Sequence, residues 1–301
     1  EQMGTIIQIF VYGLQIGSIY ALLALGYNMV YGIVNMINFA HGEFLMVGAY
    51  VTFFAASILF KVPYSLTAVF AIILIAMFAS GTLGVFTERI AYKPLRQRPR
   101  LTSLITSAGV SMFLQNFARA LPFVGPTPRS FPQFMPTKEF TFLGANITSA
   151  QIIMLLLSAL LMLLLQLLVT KTKTGSQMLA VSCDREASLL MGINVNKIIS
   201  ITFFIGAALA AASGILYSSM YPVIDVYMGS WLGTKAFIAA VLGGIGDIRG
   251  AMLGGILLGV AEVAGTAINS DFGYGICFVV MIVIMLVKPA GILGKNVIEK
   301  V

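Results

Sequence analysis

Few polar side chains of this chain could do chemistry from inside an apolar run. They are Asn35, Asn38, His41 and Glu43 in the stretch Asn35-Met-Ile-Asn-Phe-Ala-His-Gly-Glu43, and Glu262 far downstream. His41 is the only histidine among 301 residues. An imidazole two residues from a carboxylate could move a proton or hold a polar solute, and ionisable groups at membrane depth are costly enough to face a bundle interior, a partner or a water-filled path. Two roles stay open for His41 and Glu43: gate or path residues, or a capping pair that satisfies a helix broken at this point. The second carries more weight, because buried polar groups are more often structural than chemical. Asn35 and Asn38, three apart, are expected to share a helix face and to bond a solute or a neighbouring helix. Glu262 has nothing on its own face to complete a proton relay and is expected to pair across helices. Asp225 and Lys235 read as interfacial, and Lys61 as a snorkelling lysine.

Other chemistries are excluded. There is no His-Glu-x-x-His and no cluster of metal ligands, which argues against an intramembrane metalloenzyme. No Gly-x-x-x-x-Gly-Lys-Ser/Thr loop occurs, so the chain cannot hydrolyse ATP by that route, and energy must come from a partner or an ion gradient. Gly244-Ile-Gly-Asp-Ile-Arg-Gly250 imitates a dinucleotide loop with the wrong spacing and no strand before it. Asn146-Ile-Thr148 fits a glycosylation pattern that chance often produces. Cys183 and Cys277 make no disulfide framework, and no cofactor or metal is implied.

Composition says what must hold these groups. The chain is 59% hydrophobic and only 10% charged, with a mean hydropathy of +0.97, against roughly 25% charged residues in a soluble domain. Charge-free runs at 2–40, 44–60, 62–87, 101–118, 140–170, 198–224 and 272–287 are mostly long enough to cross a bilayer. They are apolar all round, unlike barrel strands. The fold expected is therefore all-α: a polytopic membrane helical bundle of about eight passes, a single domain over 1–301, entered through its own first span without a cleaved signal peptide. The net charge of +7 does not indicate nucleic acid. Twelve of the 18 basic residues fall in 88–100, in 171–197 and in the tail at Lys288, Lys295 and Lys300, as expected of cytoplasmic loops. Half of the ten prolines lie in 121–147, which reads as an external loop without regular helix.

Helices are expected over about 5–30, 64–87, 101–120, 149–169, 198–219 and 273–288. Small residues at four-residue spacing, Gly13, Gly17 and Ala21 in the first and Gly206, Ala210 and Gly214 in that over 198–219, mark close helix packing. Two further segments are interrupted by glycine and hold polar residues: 33–60, with Gly42 and Gly48, and 233–259. Broken segments in corresponding halves point to a path at the interface of inverted repeats. The path residues expected are Asn35, Asn38, His41, Glu43 and Gly246.

The basic region 171–197 contains Asp184-Arg-Glu-Ala-Ser-Leu-Leu-Met-Gly192. Asp184 can cap a two-turn helix, Glu186 sits in its first turn, and Gly192 can close it. Leu189, Leu190 and Met191 then form an apolar surface that fits a partner's groove or packs on the chain's own bundle.

These residues resemble a known family. Glu186-Ala187-Ser188 followed three residues later by Gly192 is similar to the coupling loop of ABC importer permeases, without its downstream proline. Asn38-Phe-Ala-His-Gly-Glu43, Gly48-Ala-Tyr50, Ala240-Val-Leu-Gly-Gly-Ile-Gly246 and Gly291-Ile-Leu-Gly294 resemble the permease subunits of branched-chain amino-acid ABC importers, most closely the H-type (LivH) subunits, in order from about Gly17 to the tail. Asp247 and Arg249 stand where small residues or proline are expected. The resemblance implies translocation of branched-chain or related small amino acids, with urea, amides or other amino acids as alternative cargo and a gradient-driven transporter as the alternative mechanism. It also implies a second permease subunit in a heterodimer, two cytoplasmic ATPase subunits docked on residues 184–192, and an external substrate-binding protein.

Overall fold

A computed structural model describes residues 2–58, 66–96, 98–133, 138–142 and 145–294. Lys61, Pro136, Lys295 and Lys300 lie outside the described residues. The longest element, α1 (Gln2–Val34), has 33 residues and neither a charge nor a proline. It stops where Asn35 takes φ +54°, a left-handed geometry that asparagine tolerates and a helix cannot continue. The chain is non-helical over 35–38, with Asn35 exposed and Asn38 buried. The shared helix face expected for this pair is therefore not formed, because the helix ends at the first of them.

From the turn at 39–40 the chain enters α2 (His41–Ile58). Next come α3 (Leu66–Thr87), a π turn over Glu88–Tyr92 and a 3-10 turn over Lys93–Leu95, where Pro94 removes a donor and ends the helix. α4 (Arg100–Ala120) leads to the proline-rich segment. There, helix is absent from the described residues, which instead pair in short ladders: β1 (Arg129–Ser130) with a later strand, and β2 (Glu139–Phe142) with β3 (Ala145–Thr148). Thr148 of the glycosylation-like triplet caps α5 (Ser149–Lys171) in a reciprocal capping box with Gln151. α6 (Lys173–Cys183), α7 (Arg185–Leu190) and α8 (Val195–Met220) follow, then β4 (Val223–Ile224), which pairs antiparallel with β1. α9 (Met228–Gly243), α10 (Ile248–Ile268) and α11 (Phe272–Val287) complete the bundle.

Five described helical stretches are long and apolar enough to cross a membrane: Gly4–Val34, Thr67–Leu95, Ser149–Lys171, Val195–Met220 and Ile248–Ile268. The all-α polytopic bundle is thus present. The glycine-dense segment 233–259 resolves into α9 and α10.

Two helices build the centre. α8 is buried on nearly every side between α1, α2 and α3, and α1 lies along α10. Both contacts use the predicted small-residue stripes. A Cβ added at Gly17 would meet the Ile256 backbone at 2.7 Å, and one at Gly13 the Val260 Cα at 2.8 Å. On α8, a Cβ at Gly214 would stand 3.0 Å from Leu45 Cγ on α2, while Gly206 packs against α1. Backbone atoms cannot swing aside as a side chain can, so Gly17→Leu should cost about 3 kcal/mol, the upper end of overpacking. Gly109→Ala, facing open space on α4, should be neutral or stabilising by up to about 1 kcal/mol. Thermal unfolding of the two purified variants checks the contrast; equal melting temperatures would refute the packing assignment.

Candidate functional site

The first break is organised by Asn38. Its Oδ1 accepts from the Ala40 N–H at 3.1 Å and from the Tyr92 hydroxyl at 2.7 Å, and its backbone carbonyl accepts from the His41 N–H at 3.1 Å. Asn38 therefore starts α2 and ties it to the turn after α3. His41 and Glu43 are not the expected capping pair, because a nearer amide already does that work. The His41 ring is buried, 4.5 Å from the Tyr27 ring and 6.0 Å from Phe44, and its Nε2 has no hydrogen-bond partner among the described residues. Gly26 and Gly206 leave room for this ring.

Glu43 reaches sideways instead. Its Oε1 accepts from Ser111 Oγ at 2.8 Å and Gln115 Nε2 at 2.7 Å, both on α4. Its Oε2 has no hydrogen-bond partner among the described residues and lies against Gly229 in the first turn of α9. These α4 residues were not anticipated, yet a signal was there. Ser107, Ser111, Gln115 and Arg119 recur every four residues along one face of α4, and each bonds the break or the start of α9: Ser107 Oγ accepts from Phe39 N–H at 3.2 Å, and Arg119 donates to the Tyr227 hydroxyl at 3.1 Å. The helix is held by a polar ladder.

The second break, between α9 and α10, comes from Gly244 and Gly246 at φ +113° and +91°, values that exclude most side chains. Asp247 caps α10 by accepting from the Gly250 N–H at 2.9 Å, so it supplies the turn that a small residue or proline was expected to make. The tail covers the end of α9: Ile292 and Leu293 N–H groups bond the Leu242 and Gly243 carbonyls at 2.9 and 3.0 Å. Two family motifs distant in sequence, 240–246 and 291–294, thus form one structure that satisfies carbonyls a helix end leaves open.

The second break is fastened to α1. Asn28 Nδ2 donates to the carbonyls of Gly244 and Asp247 at 3.1 and 2.9 Å, and Gly32 passes beside Gly246. Of the expected path residues, Asn38, His41 and Glu43 cluster at the first break. Asn35 is its exposed rim, and Gly246 belongs to the second.

Beneath α1 stands α7. Asp184 Oδ1 accepts from the N–H groups of Glu186 and Ala187 at 2.8 and 3.0 Å. Gly192, at φ +80°, closes the helix with its N–H on Leu189. Ser188 faces inward and bonds the Asp184 carbonyl, whereas Leu189, Leu190 and Met191 are 60%, 89% and 82% exposed, so this apolar triplet does not pack on its own bundle. The residue the sequence did not single out is Arg185. Its Nη2 donates to the Val34 and Ile33 carbonyls at 2.6 and 3.3 Å, the last turn of α1. Burial and the nearby Arg96 guanidinium hold Arg185 below the usual arginine range.

A second polar cluster lies deeper. Glu262 does pair across helices: Lys235 Nζ is 2.5 Å from Oε1 and the Tyr20 hydroxyl 2.8 Å from Oε2. Lys235 is not interfacial, being 5% exposed and ringed by Tyr274, Trp231 and Tyr20 at 4.8, 5.6 and 5.7 Å. No sequence neighbour announces this, since the partners come from α1, α9, α10 and α11.

Comparison with known proteins places these features. Residues 9–285 match the family described as "Branched-chain amino acid transport system / permease component". The chain is 40% identical over 309 residues to the high-affinity branched-chain amino acid transport system permease protein LivH of Salmonella typhimurium, covering 100% of this chain and 99% of that one. It is 42% identical to BraD, a permease protein of the same description from Pseudomonas aeruginosa, over 98% of both. A probable LivH of Methanocaldococcus jannaschii is 28% identical over 93% of this chain and 90% of its own. No solved structure matches.

Proposed function

We infer the working cycle from one premise: this chain belongs to the family of permease components of branched-chain amino acid transport systems. It is the multi-pass inner-membrane permease subunit of an ATP-binding-cassette importer for branched-chain or related small amino acids, and it works with other subunits. The finer assignments are our reading. The end of the bundle that carries α7 faces the cytoplasm, where basic residues gather, and the proline-rich segment with β1 to β4 faces outside. ATP is hydrolysed on two separate subunits that bind the exposed Leu189, Leu190 and Met191. A second permease, related but not identical, completes the membrane portion, and an external binding protein delivers the cargo.

The observation that carries this reading is the Arg185 bridge. It ties α7 to the last carbonyls of α1, immediately before the break that holds Asn38, His41 and Glu43. A pull on α7 by closing ATPase subunits would therefore act on the end of α1 and on the start of α2, biasing the breaks between inward-open and outward-open states. The two breaks, with Glu43 and His41 buried in one and Gly246 exposed in the other, form this chain's side of the path.

Reconstitution tests it. In vesicles containing the permease pair, both ATPases and the binding protein, leucine uptake should need ATP and survive an ionophore that collapses ion gradients. Uptake by the permease alone, lost with the gradient, would instead mark a secondary transporter.

A further inference from the structure

At the α7 end of the bundle, between the end of α3 and the start of α8, a cleft of about 540 Å³ opens to the surface. One side is basic, with Arg89, Lys93, Arg96 and Lys197. Its only carboxylate, Glu88, is fully buried and already taken: it pairs with Arg96 and accepts from Ser200 Oγ at 2.8 Å. Arg96 is fixed further by donating to Asn196 Oδ1 at 2.6 Å, and its Nε–H is buried without a partner among the described residues. Arg89, Lys93 and Lys197 have no ion-pair partner among the described residues. Three uncompensated cations and an open donor around one cleft call for an anion with several acceptor oxygens.

The other side is apolar: Val85, Ile201 and Phe204. It continues along α3, where Phe78 packs edge-on against Phe204 at 5.8 Å and Phe86 is exposed. A free inorganic anion has no use for this wall. Arg89 and Lys93 also sit on the last turns of the apolar stretch Thr67–Leu95, where a spanning helix meets headgroups.

We propose that this cleft binds an anionic phospholipid, its phosphate held by Arg89, Lys93, Lys197 and the Arg96 Nε–H and its acyl chains laid in the groove between α3 and α8. Basic pockets between helices at the cytoplasmic face suit such lipids. The proposal rests on the membrane fold and is independent of cargo and coupling. Lys197 lies in the first turn of α8, three residues after the loop that follows α7, so a lipid joining it to Arg89 and Lys93 braces the base on which α7 stands.

The test uses the full transporter complex in detergent, titrated with phosphatidylglycerol or phosphatidylcholine and read by native mass spectrometry. Phosphatidylglycerol should bind the wild type selectively and less tightly as salt rises. R89Q/K93Q/K197Q should weaken it roughly a hundredfold, at about fivefold per cation, leaving phosphatidylcholine binding unchanged. R89K/K93R/K197R, which keeps the charge, should bind within about threefold of the wild type; this also separates charge loss from misfolding. Equal phosphatidylglycerol binding by the neutral variant and the wild type would overturn the site. Displacement of the lipid by millimolar inorganic phosphate would overturn the lipid in favour of free phosphate.

Discussion

Glu262→Ala should destabilise the purified chain by about 3–5 kcal/mol, because it strands a buried ammonium. Lys235 has no other anion within reach among the described residues, and the three rings around it can offset only part of the lost charge partner. The same change orphans the Tyr20 hydroxyl, which now donates to Glu262, so α1, α9 and α10 all lose a shared fastening. The decisive comparison is Lys235→Met with Glu262→Met together. Removing both charges at once leaves an apolar contact, and the double variant should recover most of the loss, since a buried ion pair is often no more stable than a well-packed apolar replacement. Thermal or denaturant unfolding reads all three proteins. A single Glu262→Ala variant as stable as the wild type would show that the pair is hydrated and carries no structural weight.

Gly192→Pro and Arg185→Ala should each cut ATP-driven uptake roughly tenfold or more, a loss within the usual 1–3 kcal/mol of an allosteric coupling. Gly192 sits at φ +80°, which the proline ring cannot adopt, so the closing turn of α7 must refold and carry Leu189, Leu190 and Met191 out of place. Arg185→Ala leaves that surface intact and removes only the bonds to the Val34 and Ile33 carbonyls. Glu186→Lys, which puts a cation in a first helical turn, should follow Gly192→Pro. All three residues lie outside the spans, so membrane insertion and unfolding temperature should stay near the wild type while uptake falls. The discriminating case is Arg185→Ala. If it transports normally while Gly192→Pro does not, α7 docks a partner but does not act through α1.

Much of this was legible before any fold was known, and the legible parts share a cause. The α7 cap at Asp184, its closure at Gly192 and the packing stripe Gly13, Gly17, Ala21 are local patterns: each depends on residues within about one or two helical turns. The two breaks were visible as glycine and polar residues in apolar runs. What they do was not. Asn35 and Asn38 look alike at three-residue spacing, but the left-handed turn at Asn35 sends one to the surface and buries the other as the cap of α2. His41 and Glu43, two apart, find different partners because Glu43 meets a polar ladder on α4 about 70 residues away and His41 meets Tyr27 on α1.

The sequence by itself determined that the chain is a membrane helical bundle, where its main helices run, which short helix is capped, and which family it resembles. These follow from hydrophobic run length, capping chemistry and glycine placement, which act along the chain. Only the tertiary structure decided that Lys235 and Glu262 pair under the Tyr20 hydroxyl, that Asn28 fastens α1 to the second break, and that Arg185 hangs α7 from α1. In an apolar interior a polar group must find whichever partner helix packing brings near. That choice is set by the crossing of helices as much as 242 residues apart, and no spacing within one segment records it.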